Sequence, residues 1–152
     1  MRAFFTTLFA ASLVASHGFL EHPTPRGHGD KTLGEPRQHW TRCPKTALKE
    51  PTVVQRNITL HFNIKAGHPG ECEAVLLNTH QRRIVSLGNK TNCVASAGKP
   101  TWSIALPDSV APGKYILEWR FKANNLGKTE FYQNCADIRL ATGKRAKPKS
   151  KA

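Results

Sequence analysis

The sequence predicts an all-β chain, an antiparallel β-sandwich with long N-terminal loops. Three observations predict it. Ile58, Leu60, Phe62, Ile64 and Ala66 alternate with Thr59, His61, Asn63 and Lys65, the two-residue period of a half-buried strand. Tyr115, Leu117, Trp119 and Phe121 alternate in the same way with Glu118, Arg120 and Lys122. Between such runs stand the turn signals "GHPG" and "DSVAPG", and the Pro- and Gly-rich remainder offers few windows of helical period.

Taken in order, residues 1–16, "MRAFFTTLFAASLVAS", read as a secretory signal. Arg2 supplies the charged start, residues 4–15 the short apolar run, and Val14 and Ser16 the −3 and −1 positions of a cut after Ser16. The run is too short to span a membrane, and no other stretch approaches it, so a secreted, extracellular chain without a membrane span is expected. The cut leaves 136 of the 152 residues, the size of one domain, and makes His17 the N-terminus. Residues 22–56 read as a loop, with Pro23, Pro25, Pro36, Pro44 and Pro51 and with Gly27, Gly29 and Gly34 among them. A loop of that length is usually functional or cross-linked, and Cys43 is the obvious anchor. "CEAVLLN" reads as the strand after "GHPG", "TWSIALPDSVAPGKYILEWRFKA" as strand, turn and strand, and "TEFYQNCADIRLA" as a last strand. Short strands with regular turn signals suit an immunoglobulin- or fibronectin-III-like shape. The domain is then 17–143. Residues 144–152, "KRAKPKSKA", carry five basic and no acidic side chains and are expected to form a disordered tail.

The formal charge is +13, which draws the chain to an acidic polymer or surface. Secretion, and the lack of an interleaved basic and aromatic pattern, argue against nucleic acid. Four cysteines in a secreted chain suggest two disulfides with three possible pairings. None of their spacings is C-x-x-C, which argues against a cysteine zinc site. Asn57 in "NIT" and Asn89 in "NKT" fit the glycosylation sequon. Asn89, in a polar turn, is the better acceptor; Asn57 opens a strand and is expected to be the more shielded.

An N-terminal histidine is chemically unusual. Its α-amine and imidazole Nδ1 can chelate one metal, and the amine, with a pKa near ~8, loses its proton at modest cost. A third nitrogen completes a T-shaped tetragonal set that favours Cu(II). The remaining histidines are His22, His28, His39, His61, His68 and His80. His61 lies on the polar face of a strand, His22, His28 and His39 in the loop, and His80 in the polar turn "NTHQRR". His68 follows a strand end in "AGHPGEC", where Gly67 and Gly70 permit a tight turn and Cys72 can anchor it. Spacing alone leaves the choice among them open.

"HGF" at the expected N-terminus, "AGHPGEC" after a strand, "APGKYILEWRF" and "EFYQNCADIRL" resemble the lytic polysaccharide monooxygenases, secreted copper enzymes on an immunoglobulin-like sandwich. The resemblance covers most of the chain after residue 16 and assigns no subfamily. It implies one copper ion in a histidine brace, with His17 giving the amine and one imidazole and His68 the second. It implies Tyr132 axial to copper and Glu130 in the neighbouring position held by Gln or Glu, so that Glu130 and Tyr132 are the catalytic pair. It also implies the disulfides Cys43–Cys135 and Cys72–Cys93. A monomer acting on a cell-wall polysaccharide, with an external electron donor and O2 or H2O2, follows from the same resemblance; the charge favours an acidic polymer. Strand period alone puts Glu130, two residues before Tyr132, on the same face. Trp40 is the only tryptophan in a predicted loop. The competing reading is a non-catalytic copper-binding or copper-delivery protein with the same brace. Tyr132 favours the enzyme, because the copper-binding relatives often carry a carboxylate there.

Overall fold

The computed structural model describes residues 18–29, 33–48 and 50–142. The expected signal, His17 and the basic tail lie outside them. The described residues form eight strands and no helix: β1 (Gly18–His22), β2 (Thr52–Val54), β3 (Asn57–Ile64), β4 (Gly70–Leu77), β5 (Arg83–Thr91), β6 (Thr101–Ala105), β7 (Gly113–Asn125) and β8 (Lys128–Leu140). Two sheets face each other, one ordered β1-β3-β6 and the other β2-β8-β7-β4-β5. Every pairing is antiparallel except β2 with β8.

The alternation read from the sequence decides which side chains enter the sandwich. Ile58, Leu60, Phe62 and Ile64 of β3 are buried, and Leu117, Trp119 and Phe121 of β7 meet them from the other sheet. The Phe62 and Trp119 rings lie 5.0 Å apart, and Phe121 stacks on Tyr132 at 5.5 Å.

The outer face of β7 and β8 is not left to solvent, and Glu118, only 1% exposed, shows it. The N-terminal loop lies across that face. Cys43 is bonded to Cys135, and the pair closes a second small core with Val75, Leu77 and Ile116. Arg26 meets Asp137 through two hydrogen bonds of 2.9 and 2.6 Å, and its third nitrogen donates to Pro44 O. The second disulfide joins Cys72 to Cys93.

Three strands lie outside the elements the sequence reading marks. β1 and β2 are too short to show a period, and β2 falls at the end of the segment read as loop. β5 is an edge strand whose residues are exposed or half-buried, with register shifts against β4, so it carries no clean alternation. Asn89 therefore sits within β5, paired with Glu73, and not in a turn. Asn57 is exposed at the start of β3, not shielded. No helix among the described residues is long and apolar enough to cross a membrane.

Candidate metal centre

Gly18, the first residue of β1, pairs with Ile64, the last of β3. The N-terminal end of β1 and the 65–69 turn therefore lie at one edge of the sandwich. Two glycines shape that turn. A Cβ on Gly67 would collide with the backbone of Ala95 and Ser96, and one on Gly70 with the carbonyl of Lys122. The turn is thus wedged between the 94–98 segment and the end of β7. His68 N–H donates to Val94 O at 2.8 Å, Asn124 N–H donates to Pro69 O at 2.9 Å, and the Cys72–Cys93 bridge ties the segment before Val94 to β4. His68 Nε2 is buried and has no hydrogen-bond partner. A buried polar atom in that state calls for a partner.

The β7–β8 hairpin brings the second group. Its tip is Leu126–Gly127, both left-handed at φ 50° and 81°, between the paired Asn125 and Lys128, as a two-residue type I′ turn requires. Register then sets Gly70, Ala123 and Glu130 in one row and Cys72, Phe121 and Tyr132 in the next. Glu130 shares a face with Tyr132. The Tyr132 hydroxyl donates to Glu130 Oε2 at 2.8 Å, and Asn125 Nδ2 donates to Oε1 at 3.1 Å. Tyr132 itself is buried.

Asn134 is the residue that sequence reasoning misses. Its Oδ1 accepts from Leu20 N–H at 2.7 Å, and its Nδ2 donates to Leu33 O at 3.1 Å. It pins β1 to the opposite sheet. The available signal is an amide at an inward position of "FYQNCADI", in step with Tyr132 and Ala136.

His28, His39 and His80 are exposed. His61 is exposed on β3, with the His22 ring 5.8 Å away. Among the described residues one trio of candidate ligands converges, Cys43, Glu118 and Cys135, and its two sulfurs are joined to each other, so it holds no metal. His68, Glu130 and Tyr132 are brought to the edge where β1 begins. A buried imidazole nitrogen without a partner fits a nitrogen-preferring metal such as copper.

Sandwich and edge site together define the class: an immunoglobulin-like β-sandwich with a candidate metal centre at one edge. The fold matches solved structures of an AA10 lytic polysaccharide monooxygenase from Streptomyces lividans (TM-score 0.59, 12% identity, 82% of this chain and 100% of that one). It matches one from Jonesia denitrificans equally (TM-score 0.59, 13% identity, 82% and 100%), and a chitin binding domain from Burkholderia pseudomallei (TM-score 0.59, 10% identity, 83% and 100%). No protein-family model matches the sequence. Over 102 residues, 67% of the chain, the sequence is 35% identical to an AA11 family lytic polysaccharide monooxygenase of Aspergillus oryzae, and it spans 20% of that protein's length. In sequence and in fold the chain is thus similar to lytic polysaccharide monooxygenases.

Proposed function

We propose that the chain is a secreted, copper-dependent polysaccharide monooxygenase, cut after Ser16 and acting on a cell-wall polymer with an external reductant and O2 or H2O2. The observation that carries this reading is the buried, unpartnered Nε2 of His68, at the edge where β1 starts and beside the Glu130–Tyr132 pair. His17, through its amine and imidazole, and His68, through Nε2, would hold one copper ion. Copper held there would supply one-electron chemistry for the oxidation. Tyr132 would stand beside the ion, its hydroxyl directed to Glu130 Oε2. Glu130, fixed on both oxygens, is oriented to take up and return protons at the reacting oxygen. Asn134 holds β1 to the opposite sheet. The basic residues 144–152 act as an electrostatic tether to an acidic polymer.

The test is incubation of the secreted protein with copper, ascorbate, peroxide and a panel of chitin, cellulose, glucans, xylan and pectin, followed by mass spectrometry. Oxidised oligosaccharides from a chain whose intact mass starts at His17 are the expected result. Tight copper binding without an oxidised product on any polymer would instead make it a copper-delivery protein.

A further inference from the structure

The outer face of the five-stranded sheet carries a groove that the metal centre does not use. Three clefts, of about 390, 130 and 310 Å³, follow one another along β4 and β7. The first starts at Gly70 and Asn124, beside the His68 turn, and shares Glu71 and Lys122 with the second. The second shares Trp40 and Arg120 with the third, which ends at Gln81 and Arg83. At about 3.3 Å per residue, the eight residues of β4 give a path of roughly 25 Å, room for several sugar rings.

Trp40 is the ridge of this groove. It comes from the long N-terminal loop, yet it is not adrift. The Arg120 guanidinium lies 5.2 Å from its ring centre, and the Phe131 ring stands edge-on to it at 5.0 Å and 78°. Arg120 is held in turn by the buried Glu118 carboxylate at 2.9 Å, whose other oxygen accepts from Gln133. Trp40 remains 38% exposed. An indole fixed in advance, with its surface open, offers a stacking contact at little entropic cost. Beneath the third cleft the Glu118 Oε2–Arg120 ion pair is buried, which fixes the guanidinium under the Trp40 ring.

The charges choose the ligand. Arg83 is neutralised by Glu73 at 2.6 Å and Arg120 by Glu118. Arg42 and Lys122, which also line the groove, form no ion pair among the described residues; Lys122 stands opposite Glu71 in the β4–β7 register, and Glu73 and Glu118 are already engaged by Arg83 and Arg120. A cationic remainder on a chain of net charge +13 suits carboxylates, and a free guanidinium binds them in bidentate fashion.

We propose that this groove binds a single polysaccharide chain bearing carboxylates, a polyuronate, stacked on Trp40 and salt-bridged to Arg42 and Lys122. It rests on the proposed function only in reading the groove's Gly70 end as the entry to the copper edge. Binding itself needs no copper. Asn89 borders the middle cleft, so a glycan there would compete, and the test uses protein made without N-glycans.

Titration of the full mature protein, copper-loaded and copper-free, with hexagalacturonate and with cellohexaose tests it. The expected result is hexagalacturonate binding that is equal in both states, weakens with salt, and exceeds cellohexaose binding at least about tenfold. Trp40→Ala and Arg42→Glu should each weaken it about tenfold or more, while His68→Ala leaves it unchanged; Arg42 is exposed, so its variant serves if Trp40→Ala perturbs folding. Binding untouched by both variants, equal binding of the neutral hexamer, or loss in His68→Ala alone would overturn the proposal. Groove binding without any oxidised product would retain this site and reject the monooxygenase; oxidised cellulose without hexagalacturonate binding would do the reverse.

Discussion

Glu130 is held on one oxygen by Tyr132 and on the other by Asn125, which leaves the carboxylate one orientation toward the edge of the sandwich. Glu130→Gln keeps the size, accepts from only one of the two donors, and loses the proton-carrying group. It should bind copper normally and slow oxidation by about a hundredfold, read as oxidised product per unit time at matched copper loading. A second carboxylate speaks to stability. Glu21 accepts a 2.8 Å hydrogen bond from Asn63 Nδ2, and this bond, ahead of the weaker pull of Lys99, holds its pKa below the ordinary 4.5. The folded state therefore favours the charged form. The stabilisation is present above about pH 4.5 and is lost as pH falls through the lower folded value. Asn63→Ala should lower the urea midpoint at neutral pH and narrow the gap between neutral and acidic midpoints; an unchanged gap would remove Glu21 from the acid response.

At the scale of elements, the strands split into those that announce themselves and those that do not. β3, β7 and β8 each bury one face in the sandwich, so their two-residue period is written in Ile58 to Ile64, Tyr115 to Phe121 and the inward Tyr132, Asn134 and Ala136. β5 sits at the sheet's edge with both faces partly wet, so nothing forces a period on it. The long loop holds its place by side chains far apart in sequence. Arg26 and Asp137, with side chains 7% and 13% exposed, form a bidentate pair that also ties Leu48 N–H to Asp137 Oδ2 at 2.9 Å. Asp137→Asn strands a buried guanidinium and should cost about 3–5 kcal/mol, measured as a lowered denaturant midpoint at constant slope. The β7–β8 turn offers the opposite case. Leu126 occupies a left-handed position at φ 50° while 99% exposed, which costs a branched L-residue about 1–2 kcal/mol. Leu126→Asn should stabilise the chain by about 1 kcal/mol, since Asn tolerates that conformation and leaves no packing behind.

For the molecule as a whole, periodicity and turn chemistry make the sandwich legible, because they report which side of each strand meets the core. The site is legible in part. Glu130 and Tyr132 fall on one face by strand period alone, whereas His68 stands out from His61 only through the family motif "AGHPGEC". The groove around Trp40 has no local signal, since Arg120, Phe131 and Trp40 meet only after a loop of the N-terminal third folds back over the outer face. We propose that His68 Nε2 is one arm of a copper brace whose other arm is the N-terminal His17. Cu(II) titration followed by electron paramagnetic resonance, on the mature chain and on its His68→Ala and His61→Ala variants, tests it most directly. The account predicts one equivalent of copper with three-nitrogen coupling, kept in His61→Ala and weakened by orders of magnitude in His68→Ala. Equal copper affinity in the mature chain and His68→Ala, or loss of copper in His61→Ala alone, would contradict it.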